Sequence, residues 1–92
     1  MIVRLMGEGQ WRIDNAVRDE LNAIDAMLDA DVNGLRAAEF ADHLAAMHQL
    51  VKTKGTPIPE HEIVPSDALV PPASTTIEEL RDFLGDEGLI PD

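Results

Sequence analysis

Apolar and polar positions alternate at the start of the chain. In Met1-Ile-Val-Arg-Leu-Met6, Val3 and Leu5 fall on one side, and Ile2, Arg4 and Met6 on the other. Gly7-Glu-Gly9 interrupts the alternation with two residues that accept positive φ without a Cβ clash. Gln10-Trp-Arg-Ile13 resumes it, placing Trp11 and Ile13 on a shared face. Two short strands around a glycine turn predict a β-hairpin over residues 1–13. Such a hairpin is marginal in water by itself and needs a packing partner. The period then changes. Val17, Leu21, Ile24 and Leu28 recur at spacings of four, three and four, which is one face of a helix over about 15–30. Asp14 is placed to cap it and Asn33-Gly34 to stop it. Ala37, Phe40, Leu44, Met47 and Val51 repeat the pattern over about 35–53, flanked by Ala41, His48 and Leu50. Lys52 and Lys54 suit the negative end of that helix dipole, and Gly55 ends the helix. A connection of a few residues predicts an antiparallel helical hairpin over 14–54.

Beyond Gly55 both periods disappear. Residues 55–74 hold five of the six prolines, which remove backbone donors and fix φ. An extended segment is predicted, with Ile63-Val64 and Leu69-Val70 pressed onto the core and one short strand near Ala68-Leu69-Val70. Thr75-Thr-Ile-Glu78 fits a capping box before a short helix over about 76–84, in which Ile77, Leu80, Phe83 and Leu84 are apolar. Leu89-Ile90, in the tail that closes residues 75–92, is expected to fold back onto the core. The fold class expected is α+β in one domain: a β-hairpin on an antiparallel α-helical hairpin, a proline-rich extended return and a short C-terminal helix.

Charge changes this picture more than length does. The 92 residues carry 18 acidic and 7 basic side chains, a formal net charge of −11. Residues 1–54 are nearly balanced, with nine acids and six bases, whereas residues 55–92 have nine acids and a single base, Arg81. Nucleic acid is excluded as a partner, because neutralising phosphates takes clustered Lys and Arg. Anionic lipid is disfavoured on the same ground. A hydrophobic content of 45% is too high for a disordered acidic tail. The absence of cysteine removes disulfides, thiolate zinc sites and thiol nucleophiles. Arg4, Glu8 and Asp14 break any leader-like apolar run, and no stretch is long enough to span a bilayer, so a soluble, cytoplasmic chain is expected.

Candidate chemistry is sparse. His43 and His48 are five residues apart, which separates them by about 140° on a helix and makes a poor shared metal face. Partial burial accounts better for His48. Ser66 lies in Pro-Ser-Asp without a nucleophile elbow, so Ser66 and Asp67 are better read as a turn. Gly7-Glu-Gly9 lacks the third glycine and the helix of a phosphate loop. No catalytic residue, cofactor or metal is expected. A small ligand-binding or catalytic site would have to use the turn 7–12 together with the segment 64–67, in one pocket lined by Glu8, Arg12, Ser66 and Asp67. The remaining class is interaction. The edge of strand 1–6 could pair with a second copy, giving a homodimer, or with a partner.

Several motifs together resemble the PspA-associated family PspAA. They are Met1-Ile-Val-Arg-Leu-Met-Gly-Glu-Gly-Gln-Trp-Arg12, Gly55-Thr-Pro-Ile-Pro59, Val64-Pro-Ser-Asp67, Pro71-Pro-Ala73 and Asp86-Glu-Gly-Leu-Ile-Pro91. They keep one order along the whole chain, while residues 15–54 match in pattern more than in identity. The resemblance implies a non-enzymatic accessory protein of bacteria or archaea that binds or modulates a PspA-type, ESCRT-III-like membrane-remodelling protein in the envelope stress response. Membrane contact would then be peripheral and through that partner. The resemblance brings no catalytic residues. Its motifs nominate Arg4, Glu8, Trp11, Arg12, Ser66, Asp67, Asp86 and Glu87 as candidate partner-interface positions. The acidic C-terminal half is expected to face a basic surface of the partner.

Overall fold

The computed structural model describes residues 1–84. It is an α+β fold in which one sheet packs on a helical hairpin. Strand β1 (Ile2–Leu5) pairs antiparallel with β2 (Gly9–Arg12), with Val3 opposite Trp11 and Leu5 opposite Gly9. Gly7 adopts φ 83° and Leu5 O accepts from Glu8 N at 2.9 Å, the geometry of a type II turn with glycine in its third position. Helix α1 (Asn15–Asn33) starts at Asp14, whose carboxylate accepts from Val17 N at 2.9 Å, as the sequence predicts. Helix α2 is Ala37–Lys54. Asp31, late in α1, meets His43, early in α2, and Lys54 at the end of α2 meets Glu20 near the start of α1. The helices are therefore antiparallel. The turn between them departs from expectation, since Gly34 keeps φ −90° and Leu35 takes the left-handed φ of 53°.

The proline-rich stretch holds two strands. The expected one is β4 (Ala68–Val70), which pairs parallel with β1. The other, β3 (Thr56–Ile58), was not foreseen and pairs antiparallel with β2. The sheet order is β3-β2-β1-β4. This corrects the expectation that strand 1–6 has an open edge. The strand is interior, because β4 occupies the side on which a second copy was expected to pair. Pro57 is tolerated in β3 because that strand is an edge and needs no donor on its outer side.

The core lies between the sheet and the helices. Val3, Leu5, Ile13, Ala68 and Val70 meet Val17, Leu21, Leu28, Phe40, Leu44, Met47 and Val51 there. Most of the predicted helical stripes are buried, while Ala37 is exposed and Ile24 half-buried. Full burial of each large apolar side chain contributes about 1.5–3 kcal/mol. Ile63-Val64 is not pressed onto this core: Ile63 is 100% exposed and Val64 half-buried. In β4 the strand period decides instead, turning Ala68 and Val70 inward and Leu69 outward. Gly55 allows a close approach, because a Cβ there would sit 2.5 Å from Val51 O and 3.1 Å from Trp11 Cβ. Helix α3 (Ile77–Leu84) buries Ile77 and Leu80, and Arg81 reaches Val32 O at 3.3 Å. Its capping box is one residue later than predicted. Thr76 Oγ1 accepts from Glu79 N at 3.2 Å and Glu79 Oε1 accepts from Thr76 N at 3.1 Å. The expected docking of Leu89-Ile90 falls outside the described residues.

Candidate functional site

The sheet has one face on the helices and one face away from them. The strand registers place Ile58, Gln10, Arg4 and Leu69 in one row across the outer face. Residues 59–67 must carry the chain from β3 at one edge to β4 at the other, and they cross this face as a strap. Gln10 holds the strap down. Its Nε2 donates to Val64 O at 3.0 Å and to Ser66 Oγ at 2.7 Å. Asp67 completes the attachment, with Oδ2 accepting from Ile2 N and its own N–H donating to Ile2 O, both at 2.7 Å. These bonds join residues more than fifty positions apart in the chain.

Between the strap and the hairpin turn lies an open concavity of about 350 Å³. Arg4, the Gly7–Gly9 turn and Gln10 line one part, and Ile58, Pro59, Glu60 and Glu62 the other. Arg4 is exposed and makes no ion pair among the described residues. Glu8, by contrast, is committed. It bonds Lys52 on α2, and its Oε2 lies 2.9 Å from His48 Nδ1. His48 is buried, and its Nε2 lies 2.7 Å from Pro71 O. Both ring nitrogens thus have hydrogen-bonding partners, one on the hairpin turn and one on the chain leaving β4. The Lys52 ammonium, with His48 adding to it against the opposing effect of burial, holds the Glu8 carboxyl below its ordinary 4.5. Three elements are thus locked together: the hairpin turn, α2 and the chain leaving β4. A second network, centred on the buried Asp31, closes the helical hairpin, where Asp31 bonds His43 and lies 3.4 Å from Arg36 Nε.

The residues nominated from the sequence separate into groups. Arg4 and Glu8 both line the concavity. Arg12 is exposed on the same outer face, since its cross-strand partner is Ile2, but it does not line that space. Trp11 faces the helices, half-buried against the core. Ser66 and Asp67 use their side chains to fasten the strap. Asp86 and Glu87 lie outside the described residues. Of Glu8, Arg12, Ser66 and Asp67, the four residues expected to line one ligand-binding or catalytic pocket, Glu8 alone lines this concavity. No group of three or more metal-ligating side chains converges among the described residues. No helix among them is long and apolar enough to cross a membrane.

Sequence reasoning missed Gln10, Asp31 and the partners of His48. Gln10 is an ordinary outward residue of a hairpin strand, and only the strap makes it buried. Asp31 has a weak signal, as an acid continuing the buried stripe three residues after Leu28. His48 flanks its stripe, where partial burial was expected, and it is buried.

A family model described as PspA-Associated protein matches residues 1–92, the whole chain. No curated protein and no solved structure gives a significant match.

Proposed function

The chain belongs to the PspA-associated protein family, and from that premise we propose that it is a non-catalytic accessory protein that binds a PspA-type protein directly and modulates it. The single observation that carries this reading is the family match over all 92 residues. Its setting is the cytoplasmic side of the envelope stress response, with contact to the membrane through the partner. The surface supports association by charge. Exposed acids stand on α1 (Asp19, Glu20), α2 (Glu39, Asp42), the strap (Glu60, Glu62) and α3 (Glu78, Glu79). A net charge of −11 favours a basic partner surface and speeds encounter with it.

The test is co-purification of the chain with its cognate PspA-type protein at low and high salt. A complex that weakens as salt rises is expected, because screening shortens the reach of exposed charges. Absence of a complex at every salt concentration overturns direct binding. A salt-insensitive complex overturns the electrostatic part alone.

A further inference from the structure

The strap displays what the rest of the fold hides. Ile63 is 100% exposed, at the outermost part of a segment that is otherwise pinned. On one side Glu62 N donates to Pro59 O at 3.0 Å, closing a turn. On the other side Gln10 holds Val64 and Ser66. Pro59 and Pro65 restrict the backbone further. A single exposed apolar side chain is ordinary on a protein surface. A buried polar side chain that holds its neighbours in place is not, since burying an amide requires that its bonds be made. The conformational entropy of ordering this segment is therefore lost on folding and need not be lost again on association. Ile63 follows exposed Glu60, His61 and Glu62, and the strap contains no Lys or Arg.

We propose that the strap, residues 59–67, is the docking element of this protein, and that Ile63 enters an apolar pocket on the PspA-type partner rimmed by Lys or Arg side chains that meet Glu60 and Glu62. This inference rests on the reading of direct binding given above and names the surface responsible. The charges select the occupant. A second copy presents the same two glutamates and the same net charge of −11, so strap-to-strap contact is repelled. An anionic lipid surface is repelled likewise. A pocket with a basic rim gains from both carboxylates while it desolvates the isoleucine, the arrangement of an apolar anchor inside a polar ring.

Two variants test this by titrating the cognate PspA-type protein with the purified chain. Ile63→Ser removes the anchor at a position with no packing to lose, so its thermal midpoint should equal that of the parent. Its affinity should fall roughly tenfold or more, as for the loss of a central anchor. The pair Glu60→Gln and Glu62→Gln should weaken binding several-fold at low salt and converge with the parent at high salt. Unchanged affinity of Ile63→Ser overturns the docking element while the parent's own binding leaves the family-based reading standing. If the parent chain fails to bind, both fall. If the glutamine pair weakens binding equally at all salt concentrations, the basic rim is overturned.

Discussion

At the scale of single residues, the polar side chains removed from water are each given partners on another element. Glu8, though 36% exposed, is likewise paired, with Lys52 and His48 both on α2. A carboxyl held below its ordinary 4.5 in the folded chain binds fewer protons there than when unfolded. Its stabilising contribution is complete above that ordinary value and is lost as pH falls through the depressed folded value. Urea unfolding at about pH 7 and at about pH 3, above and below the ordinary carboxyl value, should show the parent losing more stability on acidification than Glu8→Gln. Because the side chain is 36% exposed, solvent screening keeps the difference modest. Parallel losses in parent and variant would mean that the Glu8 pairing adds nothing to the fold. Identities alone do not reveal this residue's role. Gly7-Glu-Gly9 is legible as a turn, since glycine chemistry is local. That its glutamate meets a lysine and a histidine some forty positions away depends on how the hairpin lies over α2.

At the scale of elements, legibility follows the range of the forces involved. Asp14 caps α1 through Val17, three residues on, and the two helical stripes follow from a 3.6-residue period, so both helices are readable from the sequence. The strap is not. Prolines announce an extended chain, but β3 exists because β2 offers a free edge, and Ile63 is exposed between a turn at Pro59–Glu62 and a segment that Gln10 fixes. The capping box illustrates the limit of pattern matching. Thr75 and Thr76 each precede an acid by three residues, and the helix start selects the second pair. The junction of α2 and β3 permits a sharper test. Gly55→Ala places a methyl against Val51 O at 2.5 Å and Trp11 Cβ at 3.1 Å, so the helix end or the strand must shift. The expected cost is about 1–3 kcal/mol, the range for forcing a methyl into packed space. Trp11 is the sole tryptophan, so its emission should move with that shift. Gly7→Ala, whose Cβ would meet nothing within 4 Å, is strained only by its φ of 83° and should leave the Trp11 spectrum alone. Equal stability of Gly55→Ala and the parent would show that the contact can relax freely.

At the scale of the whole molecule, sheet topology and charge act in the same direction. The strand that looked available for pairing, β1, has neighbours on both sides, and the outer edges fall to two three-residue strands. Pro57 deprives the middle of β3 of a donor, and short strands with proline are a common means of discouraging edge pairing. Two copies that met through β4 would also bring together net charges of −11. The chain alone should therefore scatter light as a monomer of 10.1 kDa at low salt. Raising the salt should leave that mass unchanged, because screening removes the repulsion but supplies no edge to pair. A doubled mass at either salt concentration would show that β4 or the outer face, with Leu69 42% exposed, associates with its own kind. A doubled mass at high salt only would show that charge, rather than the sheet edges, keeps copies apart. The two causes have different consequences for a partner. Blunted edges leave side chains, not backbone, as the means of recognition, and uncompensated acid selects a basic surface. A monomer at both salt concentrations would mean that the chain is kept from its own copies by the same features that, in the proposed reading, favour an oppositely charged partner.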